Sequence, residues 1–459
     1  MPGVPSSKAC EACRKVKKKC DELQPCSRCL RLSVPCAGSG RQRYKFKNAD
    51  SNQMKPERTR DIVLTKQVAS PTITHVPTNR LAACFINTLG ISDIRYDITF
   101  YGPFLKDLPR RLGHSAALDA ATKALVSSYP YFHGREVPHG VLIHYGKSLR
   151  TLRETLNDPA KIQSPDTLCA IYLISICQGW LRKHEKQQVS HGQAIAHLLK
   201  IIDVRKWDSG FERDLLITMS VPVIFEGLGN PRIRMPSGFW ESIMALIPPG
   251  SPPQDENLPR STTTLLSLSK FPGYLQRPYP YLAEITEAYT RLREDGQRIR
   301  SFLDQWVLAD PACFSSSVAG QRSRYQAGYT VVTALALLLN ALLRALDSSN
   351  TTLSQESAFF CEQIIAEAES ACNYRPLGAA YVAPCLVVAL AVTEGPWQWA
   401  CIETIFRDYE ADSGDLKWRE IVMWLRAAFR CHRMGGGTVE NNSDVDISAL
   451  GVPGACCMM

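Results

Sequence analysis

Most of the chain carries the hydrophobic spacing of α-helices. Steps of three and four residues place side chains on one face of a helix. The segments 327–346, 356–372 and 418–430 show this spacing, whereas the strict alternation typical of strands is scarce. In the segment 282–306 the apolar positions are Leu282, Ile285, Tyr289, Leu292, Ile299, Leu303 and Trp306. The pattern predicts an all-α fold for residues 79–434, which we call the body.

Boundaries of the predicted helices come from capping residues and prolines. Ser164 followed by Pro165 is a typical helix start, and the apolar run 168–181 comes directly after it. The proline-rich segment 248–259 predicts a loop or a break that divides the body. The segment 282–306 also fits a heptad, but Gly296 falls on the seam and the flanking charges are not paired as in a zipper. We therefore favour a core helix there over a coiled coil.

A long uncharged stretch at 325–343 tests for a membrane span. The stretch is 19 residues long and contains Gln326, Gly328, Thr330, Thr333 and Asn340. A transmembrane helix needs about 20 predominantly apolar residues. The interspersed polar side chains favour a buried core helix, and no membrane contact is predicted.

Charge is distributed very unevenly along the chain. The 459 residues carry a net charge of +9, from 53 basic and 44 acidic residues. Residues 1–47 alone hold 12 lysines and arginines against three acidic residues, so the remainder of the chain is neutral. Clustered basic side chains release counterions from a phosphate backbone when they bind it. A neutral body with a basic N-terminus indicates contact with a polyanion such as nucleic acid.

Six of the 17 cysteines lie in the same basic segment, in the order Cys10-x2-Cys13-x6-Cys20-x5-Cys26-x2-Cys29-x6-Cys36. The spacing C-x2-C-x6-C occurs twice. Tetrahedral zinc takes four ligands. Six sulfurs can therefore hold two zinc ions only if four are terminal ligands and two are bridges.

The N-terminus lacks the apolar region of a secretory signal, so we expect reduced thiols in an intracellular chain.

Three other uses of these cysteines fit the spacing less well. A one-zinc ribbon on Cys10, Cys13, Cys26 and Cys29 would leave Cys20 and Cys36 without a role. Iron–sulfur sites more often have a tighter C-x2-C-x2-C run. A redox C-x-x-C pair follows a strand, and no strand pattern precedes either pair. The count favours a binuclear zinc site.

The segment 9–36 resembles the fungal zinc binuclear cluster (Zn2Cys6) transcription factors. All six ligands and the basic run Arg14-Lys15-Val16-Lys17-Lys18-Lys19 match. The resemblance implies that Cys10 and Cys26 bridge the ions, that Lys17 reads a CGG-type triplet, and that Pro25 occupies the family's loop position. Val16 departs from the basic residue found in many members.

Elementary recognition chemistry agrees with these implied roles. Guanine offers N7 and O6 acceptors in the major groove, and Lys or Arg is their usual donor. Other basic residues of the segment are better suited to phosphates, which position a protein without reading sequence. We assign phosphate contacts to Arg14, Lys15, Lys18, Lys19, Arg28 and Arg31.

The resemblance extends to the organisation of the whole chain. It predicts a DNA-binding domain at 1–40 and an all-α fungal-type regulatory domain at 79–434, while polar, broken composition predicts a flexible linker at 41–78 and a disordered tail at 435–459. The linker shows no heptad, so the chain either binds as a monomer or forms a homodimer through the body. The implied function is nuclear activation of a fungal secondary-metabolite gene cluster through RNA polymerase II and its transcription machinery. The alternative is a repressor or co-regulator whose body senses a ligand or docks a partner.

Enzymatic motifs are weak in the body, and we predict that the protein is not an enzyme. The segment Gly113-His114-Ser115-Ala116-Ala117 approaches G-x-S-x-G, but lacks the last glycine and a preceding strand. We interpret Ser115 as a helix cap. His191 and His197 are six residues apart and do not share a helical face, so we interpret them as ordinary histidines.

Overall fold

The structure is a computed structural model that divides into two compact units, Met1–Thr72 and Ile73–Met459. The residues it describes are 10, 12–13, 16, 18–21, 23, 25–34, 36, 77–132, 136–181, 191–207, 209–228, 230, 233–246, 264–308, 316–412 and 418–435. Across these residues the regular structure is helical and contains no strand. The all-α prediction is confirmed. The domain limits at residues 40, 78 and 434 stay predictions, and the break at 248–259 lies outside the described residues.

The helices whose limits are described lie in both units. The first unit contains α1 (Ser27–Arg31). The second unit contains α2 (Pro77–Leu89), α3 (Ala116–Ser128), α4 (His139–Leu156), α5 (Pro159–Ile162), α6 (Pro165–Leu181), α7 (His191–Ile201), α8 (Gly210–Gly227), α9 (Phe239–Ala245), α10 (Leu265–Leu268), α11 (Phe271–Gln276), α12 (Leu282–Leu308), α13 (Ser316–Leu346), α14 (Thr351–Ala371), α15 (Val382–Val392), α16 (Pro396–Asp412) and α17 (Trp418–Gly435).

The second unit buries two apolar clusters. The N-terminal cluster is formed by residues 85–243 together with Leu377, and α6 lies at its centre against α3, α4, α7 and α8. The C-terminal cluster is formed by residues 271–429, where α13 and α15 pack against α12, α14, α16 and α17. Helices α6 and α15 are apolar around almost their whole circumference, which is typical of a helix enclosed by others.

Predicted helix starts are found where the capping chemistry placed them. Helix α6 begins at Pro165, and the Ser164 hydroxyl accepts a hydrogen bond from the Asp166 N–H at 3.2 Å. Ser115 precedes α3, and its side chain accepts from the Leu118 N–H at 3.4 Å. Both side chains satisfy N–H groups that have no partner inside the helix. The Ser115 segment is therefore a helix cap, as predicted.

Helix α12 is a core helix, as its spacing predicted. It runs unbroken through Gly296 and packs along α13. A Cβ added at Gly296 would lie 3.8 Å from a methyl group of Val332, which is an ordinary contact. Leu282 departs from the predicted face and is 44% exposed. The buried positions of the face are Ile285, Tyr289, Leu292, Ile299 and Leu303.

The uncharged stretch 325–343 lies within helix α13. Of the helices that the structure describes, only the part Gly320–Leu346 is long and apolar enough to cross a membrane, and 83% of its most apolar window is buried in the body. Several of its polar side chains form internal hydrogen bonds, whereas Ser323 Oγ and Asn340 Oδ1 are buried without a hydrogen-bond partner among the described residues. The Thr330 hydroxyl donates to the Gln326 carbonyl at 2.8 Å, and the Asn340 amide donates to the Tyr289 hydroxyl at 3.0 Å. The prediction of a buried core helix is confirmed.

Gly378 joins the two clusters at a close backbone approach. The turn 377–379 packs on the turn 94–96, and Leu377 belongs to the N-terminal cluster. A Cβ at Gly378 would lie 2.9 Å from the Ile94 carbonyl oxygen, so no other residue fits without a backbone shift. The two halves of the body are thus packed together at this point.

Candidate metal centre and nucleic-acid interface

The six N-terminal cysteines converge in the structure. Cys10, Cys13, Cys26 and Cys29 are buried, and Cys20 and Cys36 are half-buried. Their sulfurs form two groups of four, each with all its sulfurs within 4.8 Å of one another. One group is Cys10, Cys13, Cys20 and Cys26, and the other is Cys10, Cys26, Cys29 and Cys36. Each group has the four sulfur donors of a tetrahedral zinc site, and Cys10 and Cys26 belong to both.

The cluster has two halves, Cys10–Cys20 and Cys26–Cys36, whose cysteines are related by a shift of 16 residues. The Cys10 N–H donates to the Cys20 sulfur at 3.4 Å, and the Cys26 N–H donates to the Cys36 sulfur at the same distance. The Cys13 N–H donates to the Cys10 sulfur at 3.4 Å, and the Cys29 N–H donates to the Cys26 sulfur at 3.5 Å. The repeated spacing of the sequence is therefore a repeated geometry.

Sulfur contacts across the two halves follow the same relation. Cys10 Sγ lies 3.7 Å from Cys29 Sγ, and Cys26 Sγ lies 3.7 Å from Cys13 Sγ. The two sulfurs shared between the groups, on Cys10 and Cys26, are also 3.7 Å apart. The two central sulfurs are flanked by two outer pairs, Cys13 with Cys20 and Cys29 with Cys36. A pair of metal ions bridged by two sulfurs requires this arrangement. The bridging roles of Cys10 and Cys26 stay a prediction that this geometry supports.

The local fold follows from the same repeat. Helix α1 begins directly after Cys26, whose sulfur caps it. The chain then reverses, and the Val34 N–H donates to the Cys29 carbonyl at 3.0 Å. In the first half, the Lys18 N–H donates to the Cys13 carbonyl, also at 3.0 Å. Each reversal returns the chain so that the third cysteine of its half reaches the metal site.

Asp21 is a structural residue that the sequence analysis did not single out. Its carboxylate accepts hydrogen bonds from the Ser27 N–H at 3.0 Å and from the Ser27 hydroxyl. These bonds lower the pKa of Asp21, because they stabilise the ionised form. Asp21 thus fastens the loop between the two halves to the start of α1. Its signal in the sequence was an aspartate placed directly after the third cysteine.

The packing of the sulfurs favours the protonated form of Cys29. The neighbouring Cys26 side chain, followed by burial, raises the pKa of the Cys29 thiol. Thiolates are the ligand form, so zinc binding must displace protons from this site. Arg28 supplies one positive charge nearby, since its Nη1 lies 3.8 Å from Cys13 Sγ. Arg28 therefore faces the cluster as well as being a predicted phosphate contact.

The described basic side chains differ in how free they are to meet DNA. Lys18, Lys19 and Arg31 are exposed, and no carboxylate in the described part of the chain pairs with them. Arg14, Lys15 and Lys17 lie outside the described residues, so their roles stay predictions. Pro25 is exposed at the turn before Cys26. Exposed, unpaired cations next to a rigid metal site suit contact with phosphates.

Comparison with known families settles what the segment is. Residues 8–45 match the family model of the fungal Zn(2)-Cys(6) binuclear cluster domain. This segment is a zinc cluster domain. The resemblance stated from the sequence is confirmed, and the zinc cluster domain binds two zinc ions through its six cysteines. Zinc bound at these cysteines would crosslink segments of a short chain and so contribute to its folding free energy.

The zinc cluster domain identifies a DNA-binding transcription regulator of the fungal type. The match covers the N-terminal segment alone. No curated protein and no solved structure matches the chain significantly. For the body, the structure itself is therefore the source of functional information.

The candidate catalytic residues of the body do not form a site among the residues described. Ser115 caps α3 and is half-buried. His197 is exposed on α7, and the side chain of His191 lies outside the described residues. The prediction that the protein is not an enzyme agrees with its family domain and stays a prediction for the body.

Proposed function

We propose that this protein is a nuclear, zinc-dependent activator that reads CGG-type triplets and controls a fungal secondary-metabolite gene cluster. The observation that carries DNA recognition is the six-sulfur cluster with exposed Lys18 and Lys19 on the segment between Cys13 and Cys20. Because both ends of this segment are zinc ligands, bound metal holds its basic side chains in a fixed arrangement. The choice of activation and of the pathway rests on the resemblance to the family alone.

The roles of the basic residues are proposed one by one. Lys17 donates to guanine N7 and O6 in the major groove, which presents that acceptor pair only at G·C pairs. Arg14, Lys15, Lys18, Lys19, Arg28 and Arg31 contact phosphates. The hydrogen bond from the Lys18 N–H to the Cys13 carbonyl ties the exposed Lys18 to the backbone of a zinc ligand, which supports its role as a positioned phosphate contact.

Fluorescence anisotropy with the zinc-loaded full chain tests the assignment. Binding is measured on a duplex with a CGG triplet and on one with the triplet scrambled, at several salt concentrations. Lys17→Ala should remove about 1–3 kcal/mol of discrimination between the duplexes. Lys19→Ala is the matched control, and should weaken binding to both duplexes equally and lower the salt slope by about 1. Unchanged discrimination in Lys17→Ala would place base readout on another residue.

A homodimer through the body and contact with the transcription machinery complete the proposal. Dimerisation beside the zinc cluster domain is disfavoured because the linker has no heptad. Sedimentation of the full chain with and without duplex measures the pairing. The second candidate function is a repressor or co-regulator whose body senses a ligand or docks a partner. A cavity lined by arginines in the body supports it.

A further inference from the structure

A cavity of about 630 Å³ opens in the body where four helices meet. Its walls come from the last two turns of α13, the end of α15, the start of α16 and one face of α17. Sites for small molecules occupy about 300–1,000 Å³ and combine apolar walls with a few polar groups. The cavity has the size of a small-molecule site.

The cavity walls are predominantly apolar. Val392 and Phe429 are buried beneath it, and Trp399 lies half-buried at its side. Met423 is 58% exposed although it is a large apolar side chain, and it lies at the same cavity. An apolar wall of this kind favours a ligand with an aromatic or aliphatic body, since covering it removes apolar surface from water.

Four arginines line the same cavity, at positions 344, 426, 430 and 433. Glu394 is the single acidic residue of the lining, and it pairs with Arg433 at 3.1 Å. Within the described residues, no carboxylate forms an ion pair with Arg344, Arg426 or Arg430. Arg344, Arg426 and Arg430 thus have no ion pair within the described residues, and Glu394 is the acidic side chain of the lining that acts on Arg426 through its charge.

Arg426 is held in place by its own hydrogen bonds. Its guanidinium donates to the Leu390 carbonyl at 2.8 Å and to the Thr393 carbonyl at 2.9 Å. These carbonyls lie at the end of α15, where helix carbonyls have no partner within the helix. Burial, followed by the charge of Arg430, lowers the pKa of Arg426. An anion in the cavity would stabilise the charged form that its surroundings disfavour.

A second cavity in the body is lined by arginines whose charges are paired with carboxylates. It measures about 440 Å³ and contains Arg293 and Arg300. Arg293 pairs with Glu356 at 3.0 Å, and Arg300 pairs with Asp304 at 3.0 Å. Arginine-lined cavities in this body can therefore be balanced internally. At the larger cavity, three of the four lining arginines have no such ion pair in the part of the chain that the structure describes.

We propose that the cavity between α13, α15, α16 and α17 binds a small amphipathic organic anion, with a carboxylate facing the arginines and an apolar body against Val392, Met423 and Phe429. Arginine forms strong, directional hydrogen bonds with carboxylates. Nothing in this proposal depends on DNA binding, because it concerns the body alone.

Isothermal titration calorimetry on the zinc-loaded full chain tests the ligand class. The probes are 2-naphthoate and decanoate, each paired with its neutral counterpart, 2-naphthylmethanol and decan-1-ol. We expect one anion site per chain and at least tenfold weaker binding of each alcohol, because the alcohol lacks the charge-assisted bonds. Equal affinity for acid and alcohol, or no binding of either anion at millimolar concentration, would overturn the proposal.

Variants locate the site. Arg430→Gln should weaken anion binding about tenfold, and Met423→Glu should weaken it at least as much by placing a negative charge on the wall. Both side chains are exposed, so neither change removes a buried contact. Arg407→Gln is the control, since Arg407 is exposed on α16 and does not line the cavity. Anion binding that both cavity variants leave unchanged would place the ligand elsewhere.

Discussion

The zinc cluster domain and the body bury opposite kinds of side chain. Among the described residues before 40, the buried side chains are sulfurs, those of Cys10, Cys13, Cys26 and Cys29. Aliphatic side chains of the same segment are exposed, with Leu23 at 62% and Leu30 at 63%. In the body the two apolar clusters take the interior, together with a few buried carboxylates such as Asp295 and Glu403. The centre of one unit is made of metal ligands, and the centre of the other of hydrocarbon.

Chain length explains the difference. A segment of about 40 residues has too much surface for its volume to bury a stabilising apolar core. Crosslinks by metal ions replace that core, and free the aliphatic side chains for the surface. A body of several hundred residues buries enough apolar area to fold without metal. The stability of each unit should therefore respond to a different perturbation.

Removal of zinc should show the difference between the two units most clearly. Structural zinc contributes about 10–16 kcal/mol in small zinc modules. We expect a chelator to remove two zinc ions per chain, abolish DNA binding and leave the thermal unfolding of the body in place. Elemental analysis, anisotropy and circular dichroism on one sample measure the three effects. Loss of the body's transition together with zinc would mean that the units depend on each other.

Serine substitutions test the shared sulfurs within the zinc cluster domain. Cys36→Ser leaves the group of Cys10, Cys13, Cys20 and Cys26 complete, so one zinc ion should remain. Cys10→Ser leaves three sulfurs in each group, so we expect both ions to be lost at buffered free zinc. Native mass spectrometry counts the ions. Equal zinc content in the two variants would contradict the bridging role of Cys10.

Truncation of a buried leucine in the apolar core should lower the stability of the body alone. Leu337 is fully buried in the C-terminal cluster, and Leu337→Ala should lower the free energy of unfolding by about 2–5 kcal/mol. Leu142→Ala makes the same change at an exposed position of α4 and should cost at most about 0.5 kcal/mol. Urea denaturation gives both values. Zinc content should equal that of the unaltered chain, and a reduced content in Leu337→Ala would break the comparison.

The smallest expected effect is a pH dependence of the body. His432 is buried, its Nε2–H donates to the Leu275 carbonyl at 2.8 Å, and burial lowers its pKa. The unfolded chain then takes up a proton near pH 6.5 before the folded chain does, so stability falls as the pH drops below that value. We expect the melting temperature to fall less between pH 7.5 and 5 in His432→Gln than in the unaltered chain.

This measurement is made on zinc-free protein, so that acid release of zinc from the cysteines does not contribute. A pH profile identical in the two chains would show that His432 contributes nothing to the acid sensitivity of the body.

Local chemistry made much of the fold predictable from the sequence. Six cysteines at repeated spacing defined the metal site, because ligand number is a property of zinc rather than of the tertiary fold. Ser164 and Ser115 defined helix starts, because capping needs only neighbouring backbone. The polar residues of α13 distinguished a core helix from a membrane span.

Features that depend on distant parts of the chain could not be predicted in this way. Helices far apart in sequence form the arginine-lined cavity, and no single segment contains its pattern. Gly378 is required by the carbonyl of Ile94, and Arg426 caps a helix that ends more than 30 positions earlier. Asp21 acts on Ser27 across a loop. Each of these depends on which segments meet in the folded chain.

The burial of α13 also has a consequence for synthesis of the chain. The helix ends at Leu346, whereas the helices that cover it continue to Gly435. At a translation rate of about 5–20 residues per second, roughly 5 to 20 seconds separate these two points. During that interval a membrane-like apolar segment is outside its final packing. We expect the nascent chain to depend on chaperones at this stage, and its polar residues to lower the chance of mistaken membrane insertion.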